Sequence, residues 1–195
     1  MLRWIRIVVG VYLMCAAPAG ANQLTDTLQG FFATTKAILT GGKDLFRLLA
    51  TDQVLRVTSD LSSQAGDIDA KKEALRKEIN EGRNINSNTV DLIGQVSGFG
   101  FTLDKFATEI DRIGNQNKID LHVDELRQES TKLTQSKLRE LEDLLEESNK
   151  PSPNRDALEA KLDAAIADSK KLKVVTRCLH RTLVTQELAC KPDSF

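Results

Sequence analysis

Few residues in this sequence could carry out catalysis or hold a metal ion. The chain has two histidines, His122 and His180, and neither lies in a metal-ligand or catalytic-triad motif. Cys178, His180 and Cys190 could supply three ligands to zinc, with His122 as a fourth. The chain has no C-x₂-C pair of the kind that marks many zinc sites. The sequence therefore favours a disulfide and two surface histidines over a metal centre.

Cys178 and Cys190 are predicted to form a disulfide, because an even pair of cysteines usually pairs in an oxidising compartment. On one unbroken helix their separation of 12 residues corresponds to a rise of about 18 Å. A disulfide needs Cα atoms about 5.5–6 Å apart. Pairing within the chain, which we favour, therefore requires the helix to end near residues 183–186 so that the tail folds back. Pairing between two chains is the alternative.

A run of carboxylates near position 140 does not suggest an acid–base pair. Glycoside hydrolysis by two carboxylates needs a cleft, usually with aromatic walls, and the single Trp and single Tyr both lie within the first 12 residues. We expect a solvated helix face here, and we predict no enzymatic activity and no cofactor. The run consists of Glu140, Glu142, Asp143, Glu146 and Glu147.

The clearest binding signal is basic. Lys170, Lys173, Arg177 and Arg181 recur at spacings of three and four, so they share one helical face, and no acidic residue occurs in 169–186. Such a face can bind anionic lipid, a heparin-like polymer or an acidic protein partner. The alternative is neutralisation within the chain. A helical hairpin would place opposite this stretch Asp124, Glu125 and Glu129.

Leu92–Leu103 is free of charge and contains three glycines, Gly94, Gly98 and Gly100. A glycine inside a helix costs about 0.5–1 kcal/mol relative to alanine. We expect close packing of another helix on these residues, or a kink. A flexible apolar segment that opens toward lipid, or even forms a pore, is the alternative, although the stretch is too short to span a bilayer.

The N-terminus has the pattern of a secretory signal peptide. Arg3 and Arg6 precede the apolar stretch Ile7–Cys15, and Ala19 and Ala21 occupy the small-residue positions of a cleavage site. The apolar stretch is short for a membrane span, so an uncleaved anchor is the less favoured alternative. The prediction is a cleaved peptide at 1–21 and a secreted, extracellular chain of residues 22–195 with no transmembrane segment.

Composition narrows the classes of partner. The chain without 1–21 keeps 25 of the 27 basic residues and all 28 acidic ones, so its net charge is −3. It also lacks tryptophan and tyrosine. A negative charge without interleaved aromatic and basic residues disfavours nucleic acid, and the missing aromatic rings disfavour carbohydrate.

Helical periodicity dominates the rest of the chain, and glycine and proline mark the ends of the periodic segments. Asn88 is the predicted N-cap of the third helix, and Gly66-Asp67 is a candidate break in the second. The predicted helices cover Leu24–Thr40, Lys43–Ile79, Thr89–Ile113, Ile119–Ser148 and a last helix from the Pro151–Asn154 turn through Leu183.

These segments predict an all-α fold. We expect an elongated up-and-down bundle of about four long helices plus a short N-terminal helix, in one domain over 22–195. The last two helices, each about 30 residues long, would form an antiparallel hairpin around the short proline turn, because short connections join antiparallel neighbours. The Leu and Ile stripe from Ile119 to Leu144 would be one buried face of this coiled-coil-like hairpin.

Two classes of function fit this sequence. The first is a non-enzymatic secreted bundle that acts through its surface on a protein partner or on a second copy of itself. The second is an amphipathic carrier of lipid or apolar ligands. In general character the chain resembles the exchangeable apolipoproteins of the apolipophorin type, being helical, rich in Lys and Glu and poor in aromatics. That resemblance implies a bundle that opens on a lipid surface, although the cysteine pair is not part of the family pattern.

Overall fold

The computed structural model describes residues 21–39, 44–166 and 169–190, and within these ranges it contains helices and no strand. The predicted signal peptide, apart from Ala21 itself, and the predicted end of the first helix at Thr40 lie outside the described residues. The all-α fold is confirmed. The helices are α1 (Ala21–Leu39), α2 (Asp44–Leu49), α3 (Asp52–Asn80), α4 (Asn86–Gln116), α5 (Val123–Ser148), α6 (Arg155–Ala165) and α7 (Ser169–Thr185).

Successive long helices are antiparallel, as cross-helix contacts at both ends show. Gln53 near the start of α3 donates to Glu109 near the end of α4 at 2.8 Å, whereas Asn88 at the start of α4 donates to Glu78 near the end of α3 at 2.7 Å. The α5–α6 pair is the predicted C-terminal helical hairpin, and α6 begins at a proper N-cap, because the Asn154 side chain accepts from the Ala157 N–H at 3.1 Å. One apolar core connects all seven helices.

The last helix is not continuous, which corrects the prediction of a single helix from the proline turn to Leu183. α6 ends at Ala165 and α7 begins at Ser169. Lys137 of α5 donates its Nζ to the Ala164 carbonyl at 2.7 Å and so satisfies one of the last carbonyls of α6. Ser169 donates its hydroxyl to Asp69 of α3 at 3.3 Å. Groups on two other helices therefore stabilise the break, and the local sequence does not reveal them.

The break determines the position of α1. α6 packs on α5, but α7 packs mainly on α3, and α1 contacts both α5 and α7. Phe31 of α1 also makes an edge-to-face contact with Phe106 of α4, with ring centroids 6.4 Å apart. Thus α1 covers the N-terminal half of the α5 stripe, which α7 leaves uncovered.

Several predicted boundaries of the second and third helices were wrong. The second helix is broken at Ala50-Thr51, where Thr51 caps α3 by accepting from the Val54 N–H at 3.3 Å. After this break, α3 is continuous through Gly66, where a break was a candidate, because Ala65 and Ile68 on either side are buried in the core. α4 likewise continues past Gly114 to Gln116.

Asn88 is not an N-cap, because α4 begins two residues earlier at Asn86. Its side-chain amide instead donates to both carboxylate oxygens of Glu78, at 2.7 and 2.8 Å, and its oxygen accepts from Lys71 at 3.2 Å. The residue ties α4 to α3. The sequence predicted that this side chain would form a hydrogen bond at the start of its own helix, but its partners lie on another helix.

Of the three glycines in the charge-free stretch, Gly100 alone marks a close helix contact. A Cβ there would lie 2.3–2.9 Å from side-chain atoms of Thr134 on α5, whereas a Cβ on Gly94 or Gly98 would meet nothing within 4 Å. The expectation of close packing is therefore correct for Gly100 and wrong for the other two. α4 is continuous, so no break occurs near Phe99.

Gly100→Ala should lower the free energy of unfolding by about 1–3 kcal/mol, because the methyl group forces α4 and α5 apart. The matched control is Gly66→Ala in the middle of α3, where the new Cβ meets the Lys173 side chain at an ordinary 3.8 Å. The control should leave stability unchanged or raise it by up to about 1 kcal/mol. Urea unfolding followed by circular dichroism measures both, and equal effects would contradict the close contact.

Glu147 anchors the turn of the α5–α6 hairpin. Its side chain is buried, and the Lys150 ammonium group donates to Oε2 at 2.6 Å. This bond holds the pKa of Glu147 below its ordinary value of 4.5; the backbone N–H of Asn154 acts in the same direction, and burial opposes both. An acidic residue at a helix C-terminus is unfavourable to the helix dipole, and these two donors offset that cost.

The Glu147 carboxylate should therefore stabilise the fold above pH 4.5, and this contribution should disappear as the pH falls through the lower pKa of the folded state. Glu147→Gln should be less stable than the native chain at pH 7, with the difference shrinking on acidification. Urea unfolding at pH 7, 5, 4 and 3 measures it. Glu146→Gln, an exposed acid on the same turn, is the control, and the same pH-dependent difference in both variants would argue against this role.

Candidate functional site

The cysteine pair is placed as the intrachain prediction requires. α7 ends at Thr185, the following residues turn back, and the Cα atoms of Cys178 and Cys190 are 5.8 Å apart, which is a disulfide distance. Gln186 has a positive φ of 55° at the start of this turn. Cys190 is buried, and the Thr182 hydroxyl lies 3.8 Å from its Sγ. The C-terminal tail thus lies close enough to α7 for a disulfide to join them.

The residues considered for zinc are used in other ways. His180 Nδ1 lies 2.9 Å from the Thr58 hydroxyl, so this histidine joins α7 to α3. His122 is exposed in the turn before α5, with a positive φ of 50° and its ring 3.3 Å from Asp120. Over residues 21–39, 44–166 and 169–190, no group of three or more His, Cys, Asp or Glu side chains could hold a metal ion.

The basic residues of α7 do share one face, as the spacing predicted, and it points outward. Lys170, Arg177 and Arg181 are exposed, and in the described part of the chain none of their three side chains makes a hydrogen bond or ion pair. Lys173 is different, because its Nζ lies 3.8 Å from Asp69 of α3 and only 28% of its side chain is accessible. The face therefore carries three available cations within about 16 Å of helix length.

The acids expected to neutralise this face were assigned wrongly. Asp124, Glu125 and Glu129 lie at the start of α5, and that end of α5 packs against α1 rather than α7. Glu125 and Glu129 line an open polar groove with Gln23 and Asp26 of α1. The hairpin argument failed because α7 crosses to α3 after the break, where Asp69 is the partner of Lys173.

Sequence reasoning missed two apolar residues on the same outward face. Val174 is 43% exposed and Val184 is 55% exposed, and both lie at helical spacings that put them among the cations. The opposite side of α7 is buried through Val175, Leu179 and Leu183. The sequence did contain a sign of these residues, because the valines of α7 cover more of the helix circumference than one apolar stripe does. The burial of each side chain was needed to show which valines face outward.

The acidic run near position 140 is divided between the surface and local pairs. Glu142, Asp143 and Glu146 are exposed, as expected for a solvated face. Glu140 accepts from Lys137 at 3.0 Å, and Glu147 is the buried acid of the hairpin turn. These carboxylates therefore act locally on α5 and its turn.

The core next to the α6–α7 break contains a small apolar cavity between α3, α4, α5 and α7. It is about 30 Å³ in volume and is lined by Ile68, Val96, Phe99, Leu133 and Leu172, among others. That volume accommodates about one water molecule. Carriage of a larger apolar ligand at this position would require α7 to move away from α3.

Comparison with protein-family models, with curated proteins and with solved structures gives no match. Within the described ranges, none of the helices combines the length and the hydrophobicity that a membrane span requires. The assignment of function therefore depends on the geometry of this chain.

Replacing Cys178 and Cys190 together by serine should lower the free energy of unfolding by about 3 kcal/mol, because the bridge closes a loop of 12 residues in the unfolded chain. A reductant should destabilise the native protein and leave the double variant unchanged. A thiol assay on the unmutated protein, unfolded in denaturant without reductant, should detect neither cysteine. Detection of both thiols, or of disulfide-linked dimers, would contradict pairing within the chain.

Proposed function

We propose that this chain is a secreted, non-enzymatic helical bundle that binds an acidic protein partner through the outward face of α7. The observation that carries the proposal is the set of three exposed cations, Lys170, Arg177 and Arg181, which have no partner among the described residues. Unpaired like charges on one face repel each other, and an acidic partner relieves that repulsion.

The rest of α7 supports a rigid binding surface. Val175 and Leu179 are buried against the core, and His180 and Lys173 contact Thr58 and Asp69 of α3. The cysteine pair, which we propose is oxidised in the secreted protein, ties the end of α7 to the tail. A surface that is already ordered loses little conformational entropy when it binds.

Val174 and Val184 add apolar contact to this face, and they favour a second candidate function, which is binding to an anionic lipid surface. The closed bundle exposes just these two large apolar side chains of α7, so insertion into lipid would require α7 to leave α3 and expose its buried stripe. The protein partner requires no such opening, and we prefer it for that reason.

Arg177→Glu with Arg181→Glu should weaken binding to fluorescent poly-glutamate by at least about tenfold at low salt, because charge repulsion replaces attraction. Fluorescence anisotropy measures the affinity of the purified protein. Binding by the native chain should fall steeply between 20 and 150 mM salt, since exposed charges are screened over a Debye length of about 10 Å at 0.1 M.

The control is Lys36→Glu with Lys118→Glu, which makes the same change in net charge at two exposed positions outside α7. It should bind poly-glutamate nearly as well as the native chain. Equal loss in both double variants would mean that net charge decides binding, and no loss in either would exclude the α7 face. Phospholipid vesicles with anionic headgroups test the second candidate, because clearing of turbidity with a rise in helicity would favour the lipid surface.

A further inference from the structure

The outward face of α4 is nearly free of charge over about 30 Å of helix. Phe101 is 72% exposed and Val90 is 54% exposed, while Phe106 and Leu103 on the opposite side of the same helix are buried. A solvated helix face in a chain with 28% charged residues is normally polar. This face consists of Ser87, Val90, Gly94, Ser97, Phe101, Lys105 and Thr108, all exposed.

No contact within the described chain accounts for Gly94, which lies on this face, or for Gly98, which lies at its edge. A Cβ on Gly94 or on Gly98 would meet nothing within 4 Å, in contrast to Gly100, which faces Thr134. The missing side chains leave the helix backbone accessible beside the exposed Phe101 ring, and small residues allow the backbone of a second helix to approach closely. The face thus presents a knob, Phe101, and a hole at Gly94 and Gly98.

We propose that α4 binds α4 of a second copy of this chain, antiparallel, about a two-fold axis between Ser97 and Gly98. The knob of each copy then fits the hole of the other copy, as a two-fold interface requires. Phe101 of each copy lies opposite Gly94 of the other, and the closest approach falls on Ser97 and Gly98, which are small.

Charge complementarity favours a second copy over an unrelated partner. The Lys105 side chain is exposed and has no hydrogen bond or ion pair in the described ranges. The same two-fold axis places it opposite Val90 and on the same edge as the adjacent Asp91, whose carboxylate is 58% exposed and contacts Lys71 at 3.4 Å. Each copy thus supplies one lysine and one aspartate, giving two ion pairs along one edge of the apolar strip.

Sedimentation equilibrium of the purified protein over a hundredfold range of concentration tests the proposal. The native chain should form a reversible dimer, and Phe101→Glu should raise its dissociation constant by at least about tenfold, as expected for a central aromatic anchor. The matched control is Ile38→Glu, which adds the same charge at an exposed apolar residue of α1, outside both proposed surfaces, and should leave the dimer intact. A strictly monomeric native chain would overturn the proposal, and so would a dimer that Phe101→Glu leaves intact.

Cysteine cross-linking tests the orientation. Ser97→Cys, next to the axis, should give a disulfide-linked dimer under mild oxidation. Thr108→Cys, on the same face but about 15 Å along the helix from the axis, should not. Cross-linking through position 108 in preference to position 97 would indicate parallel helices and exclude the proposed geometry. Circular dichroism of each variant verifies that it is folded.

Discussion

The apolar stripe of α5 must be covered along its whole length, and no single helix covers it. α6 packs on its C-terminal half. After the break that follows Ala165, α7 packs on α3 instead, and α1 occupies the position that α7 leaves. Burial of apolar area is the main favourable term in folding, so this division of one stripe between two helices far apart in sequence determines the rest of the arrangement. Lys137 and Asp69 stabilise the break from α5 and α3.

The same crossing of α7 from α5 to α3 decides which charges are available. Had α7 continued along α5, its cations would have faced the acids at the start of that helix. On α3 it meets Asp69, which Lys173 contacts. Lys170, Arg177 and Arg181 remain on the surface. The binding face that we propose is therefore a consequence of helix packing as much as of the basic residues themselves.

The two proposed surfaces lie on different helices and differ in chemistry. α4 and α7 each pack against α3, and each presents its other side to solvent. The α7 face is cationic with two valines, and its interactions depend on salt. The α4 face has one lysine and a phenylalanine, and its contacts depend on close approach at glycine. A bundle with two such faces can pair with itself through α4 and still present its cations to a partner.

The sequence by itself determined the elements that depend on local interactions. Helical periodicity predicted the all-α fold and the hairpin around Pro151–Asn154. The 12-residue spacing of the cysteines predicted a helix end near 183–186, where α7 does end at Thr185. The outward basic face followed from spacings of three and four. Each of these follows from steric preference or periodicity over a few residues.

Tertiary structure alone decided which residue meets which. The cap at Ala164 comes from Lys137, Asn88 binds Glu78 instead of capping its own helix, and Gly100 rather than Gly94 meets Thr134. The sequence showed these residue types but not their partners. Those contacts join residues far apart in the chain, and their free energy depends on how the helices cross, which no local pattern specifies.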